Sequence, residues 1–334
     1  MRILILYNEA SELRRGIVSD LTCEEEIKII VPLVRQILEE RGHIVSILRT
    51  TFNLWEELKR YKSDIDLVLN LAEAFGGTNT DEPLVPAMLE ALQMPFTGAS
   101  AANMQLTLDK EKTKLVLQGY GIPITAHQIF RSGNEALSPR LGFPLIVKPI
   151  RQEASMGIYL DSVVCNHLTL RQKISHVIAA YRQPALVEPF IEGREVSVGM
   201  IGNGDSLTLF DPLEFLFPDA PTPLAAFRSY EYKWSGKKEV MTKAELSDSM
   251  KKQLLDAARV AFVSTECFDY ARMDFRVTDQ TFYILEVNYN PGIGPNTHGL
   301  NNTLTMMASF HGVSFEELIV SIVRTAAARN GLSC

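Results

Sequence analysis

Four polar residues near positions 270–290 have the types and the spacing of a metal–phosphate site. Arg272 and Asp274 alternate in YARMDF, and Glu286 and Asn288 alternate in YILEVNYNPG. If the two segments form a β-hairpin, the two-residue period of a strand places each pair on one face. Mg²⁺ prefers carboxylate and amide oxygens and commonly shares them with phosphates. The set therefore predicts a metal–nucleotide site. Arg272 would lie beside it and meet the negative charge that develops there.

A plainer interpretation of these residues stays open from the sequence. Alternating polar residues are common on strands that have one face in water. The acidic and amide side chains could simply face solvent while Arg272 pairs with Asp274.

Two lysines are candidates for binding nucleotide phosphates. Lys148 ends the apolar segment LGFPLIVKP, and Lys110 lies in LDKEKTK. A lysine in a cleft can hold phosphates as a point charge, although most lysines are solvated. Lys110 is the weaker candidate, because we expect its lysine-rich helix to be exposed. The segment 152–158, QEASMGI, could cover phosphates with its backbone amides, but it matches no glycine-rich fingerprint and by itself predicts a hairpin turn.

The run EPFIEGRE offers a third group of candidates. One strand end there could present backbone groups to adenine, and Glu195 could accept hydrogen bonds from ribose hydroxyls. The alternative is a surface hairpin with charged tips. No serine, histidine and acid arrangement suggests nucleophilic catalysis, and His298 is the one histidine close to the presumed site.

The elements that position these residues indicate an α/β protein of three subdomains. A strand at 2–7, a helix with apolar residues at helical spacing and strands at 43–48 and 66–71 predict an open parallel sheet in residues 1–100. A smaller central subdomain follows at 101–190. The rest, 191–334, contains strands at 195–201, 271–277 and 281–288 and helices at 247–263 and 314–328. We expect 185–191 and 195–201 to pair around the turn 192–194.

Composition limits the possible functions. The chain has 334 residues, 46% hydrophobic and 22% charged, and a formal net charge of −7, which argues against general binding to nucleic acid or an anionic membrane. Four scattered cysteines fit neither a zinc site nor a disulfide framework,. The N-terminus has no signal-peptide pattern, so we expect a cytoplasmic protein.

Taken in order, LDKEKTK, LGFPLIVKP, ALVEPFIEGREVSVG, YARMDF and LEVNYNPG closely resemble the D-alanine:D-alanine ligases, with LEALQMPFTGAS upstream and HGVSFEELI at the end. The resemblance covers nearly the whole chain. It implies an ATP-grasp fold with ATP held between the central and C-terminal subdomains. It also implies an ADP-forming ligase that phosphorylates a carboxylate, or an equivalent oxygen, and couples it to an amine. Family members are commonly homodimers.

The resemblance also implies roles for individual residues. Those that would bind ATP are Lys110, Lys148, Ser155, Met156, Gly157, Glu188, Pro189, Phe190, Ile191 and Glu195. Asp274, Glu286 and Asn288 would ligate two Mg²⁺ ions, for which Mn²⁺ can substitute. Arg272 would stabilise the tetrahedral intermediate, and SYEYKW places Lys233 near the transferring phosphate.

The departures from the family lie where the ligases hold their amino acids. The N-terminal signature that grips the first D-alanine is absent, and an acid of the run 24–26, for instance Glu25, would substitute. The family's histidine–glycine pair becomes Glu73-Ala74, and the longer segment IGPNTHGLNNTL replaces a short serine–leucine segment. The residues we expect at the substrates are Glu25, Glu73, Ala154, Trp234, Gly292, Asn296, Thr297 and His298.

Losing partners for a buried carboxylate costs about 1–3 kcal/mol per hydrogen bond. We therefore expect an amino acid ligase with a substrate other than D-alanine, in a specialised biosynthetic pathway. The alternatives are a D-alanine:D-alanine ligase of peptidoglycan synthesis and an inactive ATP-binding regulator.

Overall fold

The described residues fold around three β-sheets. The computed structural model describes residues 1–9, 26–234, 237–297 and 302–333. The first sheet is parallel, as expected, and has the order β2-β1-β3. Its strands and helices are β1 (Arg2–Tyr7), α1 (Ile27–Glu40), β2 (Ile44–Arg49), α2 (Leu54–Tyr61), β3 (Leu67–Asn70) and α3 (Leu84–Ala91). Residues 3–6 of β1 are fully buried, as a strand covered on both faces requires,.

Two short helices precede the second sheet. They are α4 (Ala101–Thr107) and α5 (Lys110–Gly119), and Asp109 caps the second by accepting a hydrogen bond from the Lys112 amide. The antiparallel second sheet has the order β4-β7-β5-β6. Its elements are β4 (Gln128–Phe130), β5 (Leu145–Pro149), β6 (Val163–Val164), α6 (His167–Tyr181) and β7 (Ala185–Pro189).

The third sheet is antiparallel and carries the predicted hairpin. Its elements are β8 (Arg194–Ile201), β9 (Thr208–Leu209), β10 (Leu213–Leu216), α7 (Tyr230–Trp234), β11 (Val240–Lys243), α8 (Asp248–Ser264), β12 (Tyr270–Val277) and β13 (Phe282–Asn288). Strand order is β11-β10-β8-β12-β13, with β9 beside β8. Arg272 lies opposite Asn288, and Asp274 opposite Glu286. The hairpin prediction is confirmed.

The predicted pairing of 185–191 with 195–201 is wrong. Strand β7 pairs with β4 and β5, whereas β8 pairs with β9, β10 and β12. The residues between them carry the chain from one sheet to the next. Gly193 allows this passage, because a Cβ there would lie 2.5 Å from the carbonyl oxygen of Val277. The turn residues 192–194 are compatible with a hairpin or with a crossover between two sheets. The crossover forms because β8 pairs with β12.

The last two helices join the first sheet to the third. They are α9 (Thr303–Phe310) and α10 (Phe315–Arg329), and Ser314 and Glu317 form the capping box that starts α10. One hydrophobic core contains Ile3 of β1, Phe215 of β10 and Ile322 of α10. In the described part of the chain, no single helix is long and apolar enough to cross a membrane; only α9 and α10 taken together pass that test, and they are bent by 101°.

Asp269 is a buried ionic centre that ties these parts together. Its carboxylate is fully buried and accepts hydrogen bonds from the Gly98 amide at 2.9 Å and from Asn203 Nδ2 at 2.9 Å. Arg329 of α10 donates two more, at 3.0 and 2.9 Å. A buried charge is tolerated when it is paired and fully hydrogen-bonded, and removing one partner is costly.

We therefore expect Asp269→Asn to lower the free energy of unfolding by about 3 kcal/mol, because it leaves Arg329 without its counter-ion. Urea unfolding followed by circular dichroism measures the loss. Asp256→Asn is the matched control, since it removes an exposed ion pair with Lys252, and it should change stability little. Equal effects of the two substitutions would contradict this role of Asp269.

Candidate active site

A cleft of about 290 Å³ lies between the second and third sheets, and residues near the first sheet also line it. Most of the predicted site residues line this cleft: Glu73, Lys110, Lys148, Ala154, Ser155, Met156, Glu188, Pro189, Phe190, Ile191, Glu195, Lys233, Trp234, Arg272, Asp274, Glu286, Asn288 and Gly292. Residues separated by more than 200 positions thus meet in one space.

Five of the predicted residues are placed otherwise. Glu25 and His298 lie outside the described residues. Gly157, Asn296 and Thr297 are described but do not line the cleft. Gly157 serves packing, because its φ is 78° and a Cβ there would lie 2.3 Å from Pro149 Cγ. Asn296 accepts a hydrogen bond from the Asn302 amide at 2.8 Å.

The hairpin side chains converge around Asp274. Arg272 donates to both carboxylate oxygens at 2.8 Å, while Ser197 Oγ at 2.5 Å and Asn288 Nδ2 at 2.8 Å donate one bond each. Burial by itself would raise the pKa of Asp274, but the charge of Arg272 and these hydrogen bonds outweigh it, so the pKa lies below its ordinary value,. The predicted pairing of Arg272 with Asp274 is thus present, inside the cleft.

Lys110 connects this cluster to the loop after β5. Its Nζ donates to Glu286 Oε1 at 2.5 Å and to the carbonyl oxygen of Gln152 at 2.6 Å. Burial disfavours the ammonium, but the Glu286 carboxylate overcomes this and raises the pKa of Lys110 above its ordinary value,. The cation therefore stays charged at the edge of the cleft.

The expectation that the Lys110 helix is exposed is wrong for two of its three lysines. Lys110 and Lys114 are buried, and Lys112 alone faces solvent. Lys114 lies one helical turn beyond Lys110, so both side chains occupy one face. That spacing, combined with the apolar residue Leu117 three positions later, was the available signal for a buried face.

Glu188 is the centre of a second ionic cluster. Its carboxylate accepts from Lys148 at 2.6 Å and from Thr125 Oγ1 at 2.7 Å, and Lys114 Nζ lies 3.0 Å away. Burial opposes the charge of Glu188, but the two lysines prevail and hold its pKa well below its ordinary value,. Its carboxylate therefore orients Lys148 at the cleft wall.

A third set of contacts surrounds Glu195. Its Oε2 accepts from the Arg228 amide at 3.0 Å and from Arg276 Nη1 at 3.3 Å. Burial raises the pKa of Glu195 despite these partners. The Arg276 guanidinium also lies 5.1 Å from the centre of the Phe190 ring. Sequence reasoning missed Arg276, which lies on the face of β12 that carries Arg272 and Asp274.

The loop of residues 152–157 is held at three points. Lys110 binds the carbonyl of Gln152, Trp234 Nε1 donates to the carbonyl of Ala154 at 2.9 Å, and Ser155 Oγ donates to the carbonyl of Arg228 at 3.0 Å. Ala154 and Ser155 have φ values of 53° and 61°, in the left-handed region that non-glycine residues rarely adopt,. The strained turn fixes the direction of the neighbouring side chains.

Sequence reasoning missed a pair of acidic residues, Glu153 and Glu82, that are both hydrogen-bonded to Tyr289. The Tyr289 hydroxyl is 2.8 Å from Glu82 Oε2 and is also hydrogen-bonded to Glu153. Burial and the nearby Glu286 charge raise the pKa of Glu153 to about 7. Burial and the charge of Glu153 raise the pKa of Glu82 well above its ordinary value,. A charged residue in a run of small ones was the available signal for Glu153.

Other residues that line the cleft come from near the first sheet and from the start of α9. Glu26 lines the cleft, and burial raises its pKa against the opposing charges of Lys233 and Arg228. Asn302, which also lines the cleft, is 6% exposed. A Cβ on Gly292 would lie 3.4 Å from Asn302 Oδ1 and 3.6 Å from Glu73 Oε1.

Comparison with known proteins gives consistent matches. The family described as D-ala D-ala ligase C-terminus matches residues 116–324. The uncharacterized protein y4sG of Sinorhizobium fredii is 31% identical, over 87% of this chain and 85% of its own length. A D-alanine–D-alanine ligase of Syntrophotalea carbinolica is 29% identical, over 92% and 94%.

The fold is also similar to a solved structure. The D-alanine–D-alanine ligase from Bacillus anthracis complexed with ATP superposes with a TM-score of 0.76, at 20% identity, over 99% of each chain. This likeness confirms the predicted α/β architecture as that of the ATP-grasp ligases.

We expect Lys114→Met to weaken ATP binding about tenfold, the equivalent of one pKa unit of lost charge interaction. Without Lys114, Glu188 keeps only one lysine, and Lys148 is held to it more strongly and is less available to a phosphate. Isothermal titration with ATP and magnesium measures the change. Lys112→Met, on the exposed side of the same helix, is the control, and unchanged affinity of the Lys114 variant would refute the argument.

Proposed function

The chain belongs to the D-alanine–D-alanine ligase family, and on this premise we propose that it joins an acyl donor to an amine acceptor, with at least one substrate other than D-alanine. Members of the family are ATP-dependent ligases that form C–N bonds and release ADP, so the chain is an enzyme of this kind. The regulator hypothesis is thereby set aside. The observation that carries this proposal is a contrast between the two ends of one cleft. At one end, called the nucleotide end, lysines pair with carboxylates. At the other, called the substrate end, further acids such as Glu73 and Glu153 line the cleft.

The nucleotide end supports binding of ATP by the predicted residues. Lys110 and Lys148 would meet its phosphates, and both already pair with carboxylates at the cleft wall. The apolar segment Pro189–Ile191 would hold adenine, and Glu195 would accept hydrogen bonds from ribose. Met156 and Ser155, on the loop fixed by Lys110 and Trp234, would cover the phosphates.

Mg²⁺ fits the donor set of the hairpin. Asp274, Glu286 and Asn288 offer hard oxygens from two carboxylates and an amide, and the amide nitrogen of Asn288 is already used by Asp274. Bound there, the ion would neutralise charge on the transferring phosphate. The two carboxylates and the amide oxygen would share the ion with phosphate oxygens and water.

Two cationic side chains, Arg272 and Lys233, would stabilise the other negative charges that develop in the reaction. Arg272 donates two hydrogen bonds to Asp274, and a cation that bound Asp274 would compete for those oxygens. The guanidinium would then be available to the oxyanion that forms when the amine attacks the acyl phosphate. Lys233, 4.9 Å from the centre of the Trp234 ring, would meet the phosphate as it leaves.

The residues at the substrate end support the proposal that at least one substrate is not D-alanine. Ala154 offers only a methyl group to a substrate, and Trp234 donates its ring N–H to the loop backbone. Glu153 and Glu73 also line the cleft and add acidic groups to it. A carboxylate placed beside these acids would meet like charge, whereas an ammonium group would be well matched.

D-Alanine ligation is the second candidate, because the relative that carries that name covers most of both chains. Peptidoglycan synthesis would then be the pathway, instead of a specialised one. A homodimer and a cytoplasmic location stay predictions in either case.

The proposal is tested by supplying hydroxylamine as the nucleophile in place of the unknown amine. Wild-type enzyme, ATP and magnesium are incubated with each D- and L-amino acid, and hydroxamate and ADP are measured. We expect one acid other than D-alanine to give the highest rate. A screen of amines with that acid then identifies the acceptor. Efficient formation of D-alanyl-D-alanine would establish the second candidate instead.

Asp274→Asn and Arg272→Met should each lower ADP release at least about a hundredfold, because the first removes a charged metal ligand and the second removes positive charge from the oxyanion. Asp279→Asn, on the exposed turn of the same hairpin, should leave the rate near that of wild type. Chelation of magnesium should abolish ADP release, and its addition should restore it. Undiminished activity of Asp274→Asn would overturn the metal assignment.

A further inference from the structure

We propose that Glu153 is the general base of the ligation step: it binds the ammonium group of the acceptor and removes one proton from it. The inference rests on the proposed function and deepens it. It assigns a catalytic residue that lies in the loop between Lys148 and the phosphate-covering residues.

The loop holds Glu153 in one place. Lys110 fixes the residue before it through the Gln152 carbonyl, and Trp234 fixes the residue after it through the Ala154 carbonyl. The Tyr289 hydroxyl is hydrogen-bonded to its carboxyl group. Because both flanking peptides are anchored, the side chain is directed into the cleft, which it lines.

The charges around Glu153 place it beside the reacting atoms. It is close enough to Glu286, Lys110, Lys233 and Arg272 to interact electrostatically with each of them. Arg272 would hold the oxyanion and Lys233 the leaving phosphate. A nucleophile that bound Glu153 would therefore approach the acyl carbon from within the same group of side chains.

The chemistry requires such a group. An ammonium ion has no lone pair, so the acceptor must lose a proton before it can attack, and a carboxylate within hydrogen-bond reach can take it. The neutral amine then forms the C–N bond, and the C–O bond to phosphate breaks with its electron pair leaving on phosphate. The second proton of the nitrogen leaves with the phosphate, and the products are an amide, ADP and phosphate.

The other acids near the substrate end fit this role less well. Glu26 is partly neutralised by Lys233 and Arg228. Glu82 is hydrogen-bonded by Tyr289 and Asn290 and is not part of the cleft wall. Glu73 lies beside Gly292 and not on the loop that Lys110 and Trp234 anchor, so it is better placed to contact another part of the substrate.

Two nucleophiles test the proposal, with the donor acid identified by the hydroxamate screen. Hydroxylamine is largely unprotonated at neutral pH and needs no base, whereas an alkyl amine arrives as ammonium. We expect Glu153→Gln to lower kcat for the amine about a hundredfold, the lower range for general base catalysis. Hydroxamate formation and ATP binding by the same variant should stay near wild type, and Glu153→Asp should restore part of the amine reaction.

Each other outcome has one meaning. If Glu153→Gln lowers hydroxamate and amide formation equally, Glu153 acts before the amine step and the general-base assignment is wrong. The assignment also fails if only KM for the amine rises, or if neither reaction changes. Absence of hydroxamate from wild-type enzyme with every acid would instead remove the proposed function itself. Glu192→Gln, an exposed acid on the segment between β7 and β8, is the control and should match wild type in both reactions.

Discussion

The pairing of Lys110 with Glu286 is the interaction on which the arrangement of the cleft depends. The lysine comes from α5, the glutamate from β13, and the same Nζ also holds the loop that follows β5. Burying an ammonium is costly unless a carboxylate lies close by, so the three segments cannot separate without exposing or unpairing a charge. This one contact therefore sets the distance between the loop of residues 152–157 and the hairpin of β12 and β13.

A similar logic explains why the nucleotide end contains so many buried ions. Glu188 neutralises Lys148 and Lys114, and Asp274 neutralises Arg272. Such pairs keep strong charges in place when no ligand is present, and they leave each cation near its counter-ion when a phosphate competes for it. The cost of desolvation is met before the ligand arrives, which is how a preorganised site gains its effect.

The substrate end follows a different balance. Three acids lie close together there: Glu153, Glu82 and Glu73. The Tyr289 hydroxyl is hydrogen-bonded to both Glu82 and Glu153. Burial and the charge of Glu153 raise the pKa of Glu82, which eases the repulsion between these acids,. Glu153 and Glu73 line the cleft itself, and these acids favour a substrate that brings an amine.

Local spacing was sufficient for the parts of this protein whose geometry is local. The two-residue period of β12 and β13 placed Arg272 with Asp274 and Glu286 with Asn288, and Ser314 marked the start of α10, because strand alternation and helix capping involve only neighbours in the chain,. The sequence also carried the family resemblance, and with it the fold. It could not decide which sheet β8 would join, since Gly193 suits a hairpin and a crossover equally. Nor could it show that Lys110 is buried, because its partner Glu286 is 176 positions away. The raised pKa of Glu153 likewise depends on burial and on the charge of Glu286. Desolvation and ion pairing depend on residues that only the folded chain brings together, and the tertiary structure alone decided these.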